Sequence, residues 1–265
     1  DGALGTYYGE KYGERSRAPE LDNLTEPQRI EMIHREYIRA GADILRTNSF
    51  SSNTQTLCPD PDGRMTREER LEAVYENVSA ACQIARSAID KEKADSEGNG
   101  NTLREVYIAG DIGPVPEHGE DEGQSENITE EYKMMAKAHL DAGIKLIWFE
   151  TFSDFERIIA VAEWIKSVSD AFIMASFSVN MFGYTKSGIS ARELINTAKE
   201  SESIDGIGFN CGIGPSHLNR LLKRQDLGDL IVFAAPNAGY ADRIENRSIY
   251  RDNAGYFCEA MNETA

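Results

Sequence analysis

The sequence alternates short apolar runs rich in β-branched residues with longer amphipathic stretches, and this alternation limits the chain to few architectures. Six runs have the length and composition of buried strands: 42–47, 105–110, 144–149, 171–178, 204–209 and 229–234. Amphipathic stretches predict helices beside them: 26–40, 66–91, 128–142, 153–168, 190–201 and 215–224. Repeated strand–helix units predict a parallel sheet covered by helices, because parallel neighbours need long crossover connections.

Two α/β architectures share this alternation, a (β/α)8 TIM barrel and an open doubly wound sheet. The open sheet would be favoured by a G-x-G-x-x-G turn after a first strand, and that turn is absent. The barrel is therefore the favoured prediction. One strand before Asp1 and one after a helix near 254–263 would bring the count to eight. We predict a single domain over 1–265, incomplete at both ends and lacking the last strand.

Charge and cysteine content narrow the class of ligand. The formal net charge is −17, which argues against nucleic acid or an anionic membrane as a partner and favours a small-molecule substrate. No segment approaches the roughly 20 apolar residues of a membrane helix, and no signal-like segment is present, so a cytoplasmic protein is predicted. Four cysteines are too scattered for a disulfide framework: Cys58, Cys82, Cys211 and Cys258.

Several polar features are interpreted as surface or packing structure. The stretches 92–103 and 115–127 are polar and contain glycine, which predicts surface loops. The histidines show no metal-ligand spacing, and His34 and His139 are predicted to be surface or packing residues of helices, away from the strand ends. N-x-S/T triplets without a secretion signal are predicted to be unmodified, at Asn23, Asn77, Asn127, Asn246 and Asn262.

Small polar residues and glycines follow nearly every predicted strand. In a βα barrel the chemistry gathers at the carboxyl ends of the strands, so these residues are the candidates for a site. They are Asp1 and Gly2, Thr47–Ser49, Asp111–Pro114, Glu150 and Thr151, Ser178 and Asn180, Asn210 and Cys211, and Pro236 and Asn237. Their small size and polarity predict a pocket for a compact polar ligand.

Three of these residues have both a functional and a structural interpretation. Asp1 and Glu150 could together hold a substrate ammonium group, or they could be a turn residue and a helix-cap neighbour. Cys211 precedes a glycine turn that opens a helix, where a thiolate is favoured for nucleophilic or metal-binding roles. A buried cysteine is, however, usually inert, so the residues alone leave both interpretations open.

As a set, the motifs at the strand ends resemble the homocysteine S-methyltransferase family. The motifs are DGALGT at 1–6, GADILRTNSF at 41–50, AGDIGP at 109–114, FET at 149–151, the SG of TKSG at 185–188, GFNC at 208–211 and PNAG at 236–239. They span essentially the whole chain in the family's order. The resemblance implies a (β/α)8 barrel in which a methyl group moves from a small-molecule donor to the thiol of homocysteine, giving methionine.

The resemblance also implies a zinc ion held by three cysteine thiolates. Cys211 matches the first of them, and the other two belong to a GGCCG motif that is absent here and is expected beyond Ala265. A free thiol with a pKa near 8.5 is mostly protonated at neutral pH, whereas a zinc-bound thiol is deprotonated and can attack a methyl carbon. With one of three ligands, the 265 residues alone are expected to hold zinc poorly and to be inactive.

Residue by residue, the resemblance assigns homocysteine contacts. Asp1, Gly2, Thr47 and Glu150 match substrate-binding positions, with the Glu150 carboxylate receiving the ammonium group and backbone amides around Gly2 receiving the carboxylate. Cys211 and Glu150 are the implied catalytic residues. Two asparagines are expected to shape the rim, Asn210 and Asn237. The donor could be methyltetrahydrofolate through cobalamin, betaine or a sulfonium compound, and further domains of the same polypeptide could bind it.

Two other functions stay open at this point. A βα-barrel lyase or aldolase would need a lysine at a strand end, but Lys145 opens its predicted strand and Lys186 lies in a loop. A non-catalytic thiol-binding or regulatory barrel that has lost its metal is the second alternative. A Gly-Gly-Cys-Cys sequence shortly after Ala265 in the native gene would favour the enzyme over this alternative.

Overall fold

Six strands of the computed structural model form one sheet in chain order, β1 to β6. The structure describes residues 1–13, 18–60, 62–116, 122–238, 241–244, 247–250 and 253–263. The strands are β1 Ile44–Arg46, β2 Tyr107–Ile112, β3 Leu146–Phe152, β4 Phe172–Phe177, β5 Gly206–Asn210 and β6 Ile231–Ala235. The pairs β1/β2, β4/β5 and β5/β6 are parallel. Unbroken chain order is that of a (β/α)8 barrel, whereas the order of a doubly wound sheet reverses.

The helices are interleaved with these strands. They are α1 Leu4–Tyr12, α2 Asp22–Thr25, α3 Pro27–Arg39, α4 Thr54–Leu57, α5 Arg67–Gly98, α6 Glu122–Asp141, α7 Ile158–Val168, α8 Ala191–Glu200, α9 Pro215–Leu222 and α10 Ala254–Asn262. All six predicted strands and all six predicted helices are confirmed, and so is the α/β class. The structure adds α1, which the turn-like opening DGALGT does not predict, and an antiparallel pair formed by β7 Ala241–Ile244 and β8 Arg247–Tyr250.

The chain divides into two compact units. The first comprises Asp1–Trp148 and Trp164–Ala171, and the second comprises Phe149–Glu163 and Phe172–Ala265. Strand β3 contributes its first three residues to the first unit and its remaining four to the second. The single domain over 1–265 stays a prediction, and each unit is described by itself below.

The first unit contains the long helix α5. A capping box starts it, in which the Thr66 side chain accepts from the Glu69 amide and the Glu69 carboxylate accepts from the Thr66 amide. Its buried face repeats every three or four residues, as an amphipathic helix requires: Val74, Val78, Ala81, Ala85 and Ala88. Ile84 packs with Tyr8 of α1 and with Ile30 and Ile33 of α3. Burial of these apolar side chains stabilises the unit.

The predicted loops at 92–103 and 115–127 are each wrong in part, because α5 continues to Gly98 and α6 begins at Glu122. Residues 117–121 of the second loop lie outside the described residues. Glu92 is only 5% exposed, and two arginines of α3 donate to its carboxylate. Arg35 Nε lies 2.5 Å from Oε1, and Arg39 Nε lies 2.9 Å from Oε2. The polar first part of the 92–103 segment is therefore helical, because its charged residues have good helix propensity and Glu92 pairs with arginines of α3. The composition of the segment alone does not reveal these partners.

We expect Glu92→Gln to lower the free energy of unfolding by about 1–2 kcal/mol at pH 7, because two charge-assisted hydrogen bonds lose their charge. Burial raises the pKa of Glu92, but hydrogen bonds from Arg39 and Arg35 outweigh it and the net pKa is lowered. The stabilisation is therefore present above the ordinary glutamate pKa of about 4.3 and is lost as the pH falls through the lower folded-state value. Urea unfolding at neutral and acidic pH measures this difference.

Asp95→Asn is the matched control, because Asp95 accepts from Arg35 Nη2 at 2.6 Å but its side chain is 59% exposed. We expect a change within about 0.5 kcal/mol for this variant. Two results would contradict a stabilising role for the Glu92 carboxylate. One is an equal loss of unfolding free energy in both variants, and the other is a Glu92→Gln effect that is as large at acidic pH as at neutral pH.

The second unit has an apolar core between its strands and helices. Strands β4 and β5 bury Phe177, Ile207 and Phe209 almost completely. Helix α8 begins with a capping box formed by Ser190 and Glu193, and α9 begins with proline at its first position, where the missing amide hydrogen costs nothing. None of the helices in the described part of the chain is long and apolar enough to cross a membrane.

Two of the N-x-S/T asparagines are buried in the first unit. Asn23 and Asn77 are each 2% exposed, and Asn23 Nδ2 donates to Asn77 Oδ1 at 2.9 Å. Neither side-chain amide is accessible to a glycan in this fold, and the absence of modification stays a prediction. Asn127 in α6 and Asn262 in α10 are exposed, and Asn246 lies outside the described residues.

Candidate functional site

Glu150, Asn210 and Cys211 lie together in the second unit. Asn210 is the last residue of β5, and its side-chain nitrogen lies 3.4 Å from Glu150 Oε1 and 3.4 Å from Cys211 Sγ. The same nitrogen donates to Thr151 Oγ1 at 2.6 Å. Glu150 and Asn210 are buried, at 8% and 2% exposure, whereas Cys211 is exposed. A carboxylate and an accessible thiol are thus connected through one amide.

The position of Glu150 excludes the interpretation that it is a helix-cap neighbour. Strand β3 continues to Phe152, so Glu150 is a strand residue, and α7 does not begin until Ile158. The predicted strand ended at residue 149, because a glutamate and a threonine follow its apolar run. A carboxylate within a strand is buried only at a cost, so it needs hydrogen-bond partners. Asn210 supplies one of them.

The backbone is strained at the two residues that follow the buried polar groups. Thr151 has φ of 65° and Cys211 has φ of 56°, and they are the non-glycine residues with positive φ in the described part of the chain. This conformation costs about 1–3 kcal/mol and is especially unfavourable for a β-branched residue. Such strain near the ends of two strands of one sheet is typical of functional sites, where it directs side chains that a regular strand would direct elsewhere.

Gly212 explains why the turn after Cys211 requires glycine. Its φ is 66°, and a Cβ atom there would lie 2.2 Å from the carbonyl oxygen of Val179. The turn is tied down on its other side, because the Cys211 amide donates to the Ala235 carbonyl at 3.0 Å. The thiol is therefore presented at a defined place at the end of β5.

The helix N-terminus expected beside Cys211 is not adjacent to it. Helix α9 begins at Pro215, four residues further on, and the field of a helix terminus acts within about one turn. The structure instead places the Asn210 amide beside the sulfur. The polar partner of the thiol is thus a side chain from the residue before it.

The other cysteines do not join Cys211. Cys82 is buried in α5, where burial raises the pKa of its thiol to about 12, and Cys58 is buried after α4. Cys258 is exposed on α10. No group of three or more metal-ligating side chains occurs within the described ranges. Within the described ranges, Cys211 is therefore not part of a ready-made cluster of three metal ligands.

In the first unit, the Asp1 carboxylate is already paired. Its side chain is 1% exposed, Arg46 Nε donates to Oδ1 at 2.9 Å, and the Arg46 amide donates to Oδ2 at 3.0 Å. The same guanidinium donates to the Gly2 carbonyl at 2.7 Å and lies 5.9 Å from the Trp148 ring centroid. Sequence reasoning missed Arg46, although an arginine inside an apolar strand is a signal that a carboxylate partner is needed.

Thr47 is the centre of a second polar group in the first unit. Its hydroxyl oxygen accepts from the Asp111 amide at 2.9 Å and lies 2.7 Å from Ser49 Oγ. His139 Nε2 lies 3.1 Å from Thr47 Oγ1 and 3.2 Å from Ser49 Oγ. Ser49 in turn donates to the Asp111 carbonyl at 2.7 Å. The Thr47 hydroxyl therefore has three intrachain neighbours and joins the ends of β1 and β2.

The prediction that His139 lies away from the strand ends is wrong. His139 is fully buried in α6, and burial lowers its pKa to about 3, so the ring is neutral at physiological pH. A Cβ atom on Gly110 of β2 would lie 2.6 Å from the ring, so the glycine lets the imidazole reach Thr47. His34 is also buried, in α3, and burial lowers its pKa to about 4, as expected for a packing residue.

A network of buried amides supports the loop after β1. Asn48 Nδ2 donates to Asn23 Oδ1 at 2.8 Å, and Asn23 Nδ2 donates back to the Asn48 carbonyl at 2.7 Å. Asn77 Nδ2 donates to the Glu20 carbonyl, and Ser52 donates to Asn77 Oδ1. These bonds satisfy polar groups that would be costly to bury alone, and they fix the segment that begins with Thr47.

The remaining candidates are less closely tied to the thiol. Asn237 is half-buried after β6. Its backbone N–H donates to the Ile213 carbonyl at 3.0 Å, which connects it to the turn after Cys211. Lys145 precedes β3 and lies 3.2 Å from Asp170. Lys186 is exposed in the segment between β4 and α8. Neither lysine is at the carboxyl end of a strand, where a lyase would need it.

Fold and site together define a βα-repeat protein with an accessible thiol and a buried carboxylate at its strand ends. A profile of the family described as homocysteine S-methyltransferase matches residues 1–264. The chain belongs to the homocysteine S-methyltransferase family.

Known proteins agree with this assignment. The chain is 29% identical over 231 residues to the methionine synthase of Mycobacterium tuberculosis, a match that covers 83% of this chain and 18% of that protein. The chain thus spans less than a fifth of the length of this relative. The metallated form of the homocysteine methyltransferase MmuM from Escherichia coli has a similar fold, with a TM-score of 0.66 and 21% identity over 90% of this chain and 83% of that one. The oxidized form of MmuM has a TM-score of 0.66 and 18% identity, and the match covers 89% of each chain.

Proposed function

We propose that this chain binds homocysteine and that the protein transfers a methyl group to the homocysteine thiol, giving methionine. The observation that carries the proposal is the Asn210 amide, which lies 3.4 Å from both the Glu150 carboxylate and the Cys211 sulfur. An amino acid with a thiol side chain needs an anionic partner for its ammonium group and a place for its sulfur. Glu150 and Cys211 would supply these two functions at the ends of β3 and β5, which flank β4 in the sheet.

Glu150 is the carboxylate best suited to the substrate ammonium. The Asp1 carboxylate is neutralised by Arg46, so Asp1 would have to exchange that partner before it could bind a second cation. We propose that Asp1 and Arg46 instead hold the Gly2 segment, whose backbone amides would receive the substrate carboxylate. Because the Thr47 hydroxyl has intrachain partners, its contact with homocysteine would use its methyl group or main chain.

The metal proposed for this site is zinc, with Cys211 as one ligand. An exposed thiol on a rigid turn fits that role, and the other two thiolates would come from residues outside 1–265. Bound zinc would remove the proton from a coordinating thiol and keep the sulfur nucleophilic at neutral pH. Asn237 would shape the rim beside the Cys211 turn. A cytoplasmic location stays a prediction.

The test is an assay of the complete gene product with homocysteine and each class of donor in turn: methyltetrahydrofolate with cobalamin, betaine, and S-methylmethionine. We expect methionine from one donor class. Cysteine, which is one methylene shorter, serves as the control acceptor. Absence of methionine with every donor, from protein that is folded and loaded with zinc, would contradict the proposal and leave a thiol-binding barrel. The class of donor that yields methionine would indicate whether further domains take part in methyl transfer.

A further inference from the structure

Ser176 is a buried hydroxyl in an otherwise apolar strand, behind the site. Ser176 lies in β4 with 0% of its surface exposed, and its hydroxyl donates to Asn210 Oδ1 at 3.0 Å. Ser176 Oγ also lies 3.5 Å from the Phe149 carbonyl oxygen. A hydroxyl in this place is costly to bury unless it has hydrogen-bond partners, so the bond to Asn210 accounts for its presence.

The Ser176 hydrogen bond bears on which way the Asn210 amide faces. The oxygen and nitrogen of an amide have nearly the same size, so hydrogen bonds decide which of them faces a given partner. With Oδ1 held by Ser176, Nδ2 faces Thr151, Glu150 and Cys211. The flipped amide would place its oxygen against the Glu150 carboxylate and the Cys211 sulfur, where both contacts are repulsive once those groups are anionic.

The Asn210 nitrogen has two hydrogens for three neighbours. The short bond to Thr151 Oγ1, at 2.6 Å, supports a residue with φ of 65°, and the two contacts at 3.4 Å leave the second hydrogen shared between the carboxylate and the sulfur. Long contacts of this kind commonly shorten when substrate binds. One oriented amide thus fixes the separation between the group for the substrate ammonium and the group for its sulfur.

We propose that Ser176 is a positioning residue, which orients the Asn210 amide and thereby sets the spacing between Glu150 and Cys211 that selects homocysteine. This inference rests on the proposed function and adds to it a residue that touches no substrate. Pre-organised spacing lowers the cost of binding a substrate of matching length. Loss of the hydroxyl leaves Oδ1 without this donor and lets the amide rotate.

The experiment measures homocysteine binding to the zinc-loaded complete gene product by calorimetry, without methyl donor. We expect Ser176→Ala to raise the Kd for homocysteine about 10-fold, which corresponds to the loss of one buried hydrogen bond. The KM should rise in parallel while kcat changes less, and bound zinc should stay unchanged. Ser176→Cys, which replaces the hydroxyl with a slightly larger and weaker donor, should give an intermediate Kd.

Ser203→Ala is the matched control, because Ser203 is 6% exposed in the same unit and its hydroxyl lies 3.1 Å from that of Ser201. It should leave the Kd unchanged. A double-mutant cycle decides the mechanism: in an Asn210→Ala background, Ser176→Ala should have no further effect on the Kd. Equal effects in both backgrounds, or an unchanged Kd in the single variant, would overturn the inference. Failure of the proposed function would instead be seen as no homocysteine binding by the wild-type protein.

Discussion

Cys211→Ser in the complete gene product is expected to remove most of the bound zinc, from about one ion per chain, and to lower methyl transfer at least about 10³-fold, or about 4 kcal/mol in the barrier. A serine hydroxyl keeps its proton at neutral pH and is a poor zinc ligand. The backbone conformation at this position, with φ of 56°, is as costly for serine as for cysteine, so the turn should be retained. Metal analysis and the methionine assay measure the two effects.

Cys258→Ser is the matched control for this prediction. Cys258 is also exposed and belongs to the same unit, on α10. We expect its replacement to leave zinc content and activity as in the wild type. Unchanged zinc in Cys211→Ser would contradict the assignment of the thiol as a ligand. Zinc loss in both variants would indicate instability of the unit rather than loss of a ligand.

Glu150→Gln is expected to raise the Kd for homocysteine about 30- to 100-fold, because a charge-assisted hydrogen bond to the ammonium group is worth about 2–3 kcal/mol. Glutamine keeps the shape of the side chain and can still accept from Asn210 Nδ2, so the local structure should persist. Calorimetry with homocysteine and with 4-mercaptobutanoate, which lacks the amino group, distinguishes loss of the ammonium contact from a general disturbance of the site. Only the binding of homocysteine should weaken.

Glu131→Gln serves as the control, because Glu131 is also buried, at 5% exposure, and accepts from the Thr54 hydroxyl at 3.1 Å in the first unit. Its replacement should leave the Kd for homocysteine unchanged. An equal loss of affinity for homocysteine and for 4-mercaptobutanoate in Glu150→Gln would show that the carboxylate does not receive the ammonium group.

The local sequence pattern was sufficient to locate the strands and helices and to identify the residues at the strand ends. Each βα unit shows its own periodicity, so six strands and six helices could be located within a few residues. Local pattern failed where a contact from elsewhere decided the conformation. Helix α5 extends past residue 92 because Arg35 and Arg39 of α3 pair with Glu92. Strand β3 extends through Glu150 and Thr151 although their polarity predicts that it ends before them.

By itself, the sequence determined the α/β class, the parallel strand order and the placement of Glu150, Asn210 and Cys211 at strand ends, because these follow from periodicity and chain order. Only the tertiary structure decided how the polar side chains are paired: Arg46 with Asp1, His139 with Thr47, and Ser176 with Asn210. Each pair joins residues at least 34 positions apart in the chain. Their meeting depends on strand register and side-chain direction, which are set by packing and leave no periodic signal in the sequence.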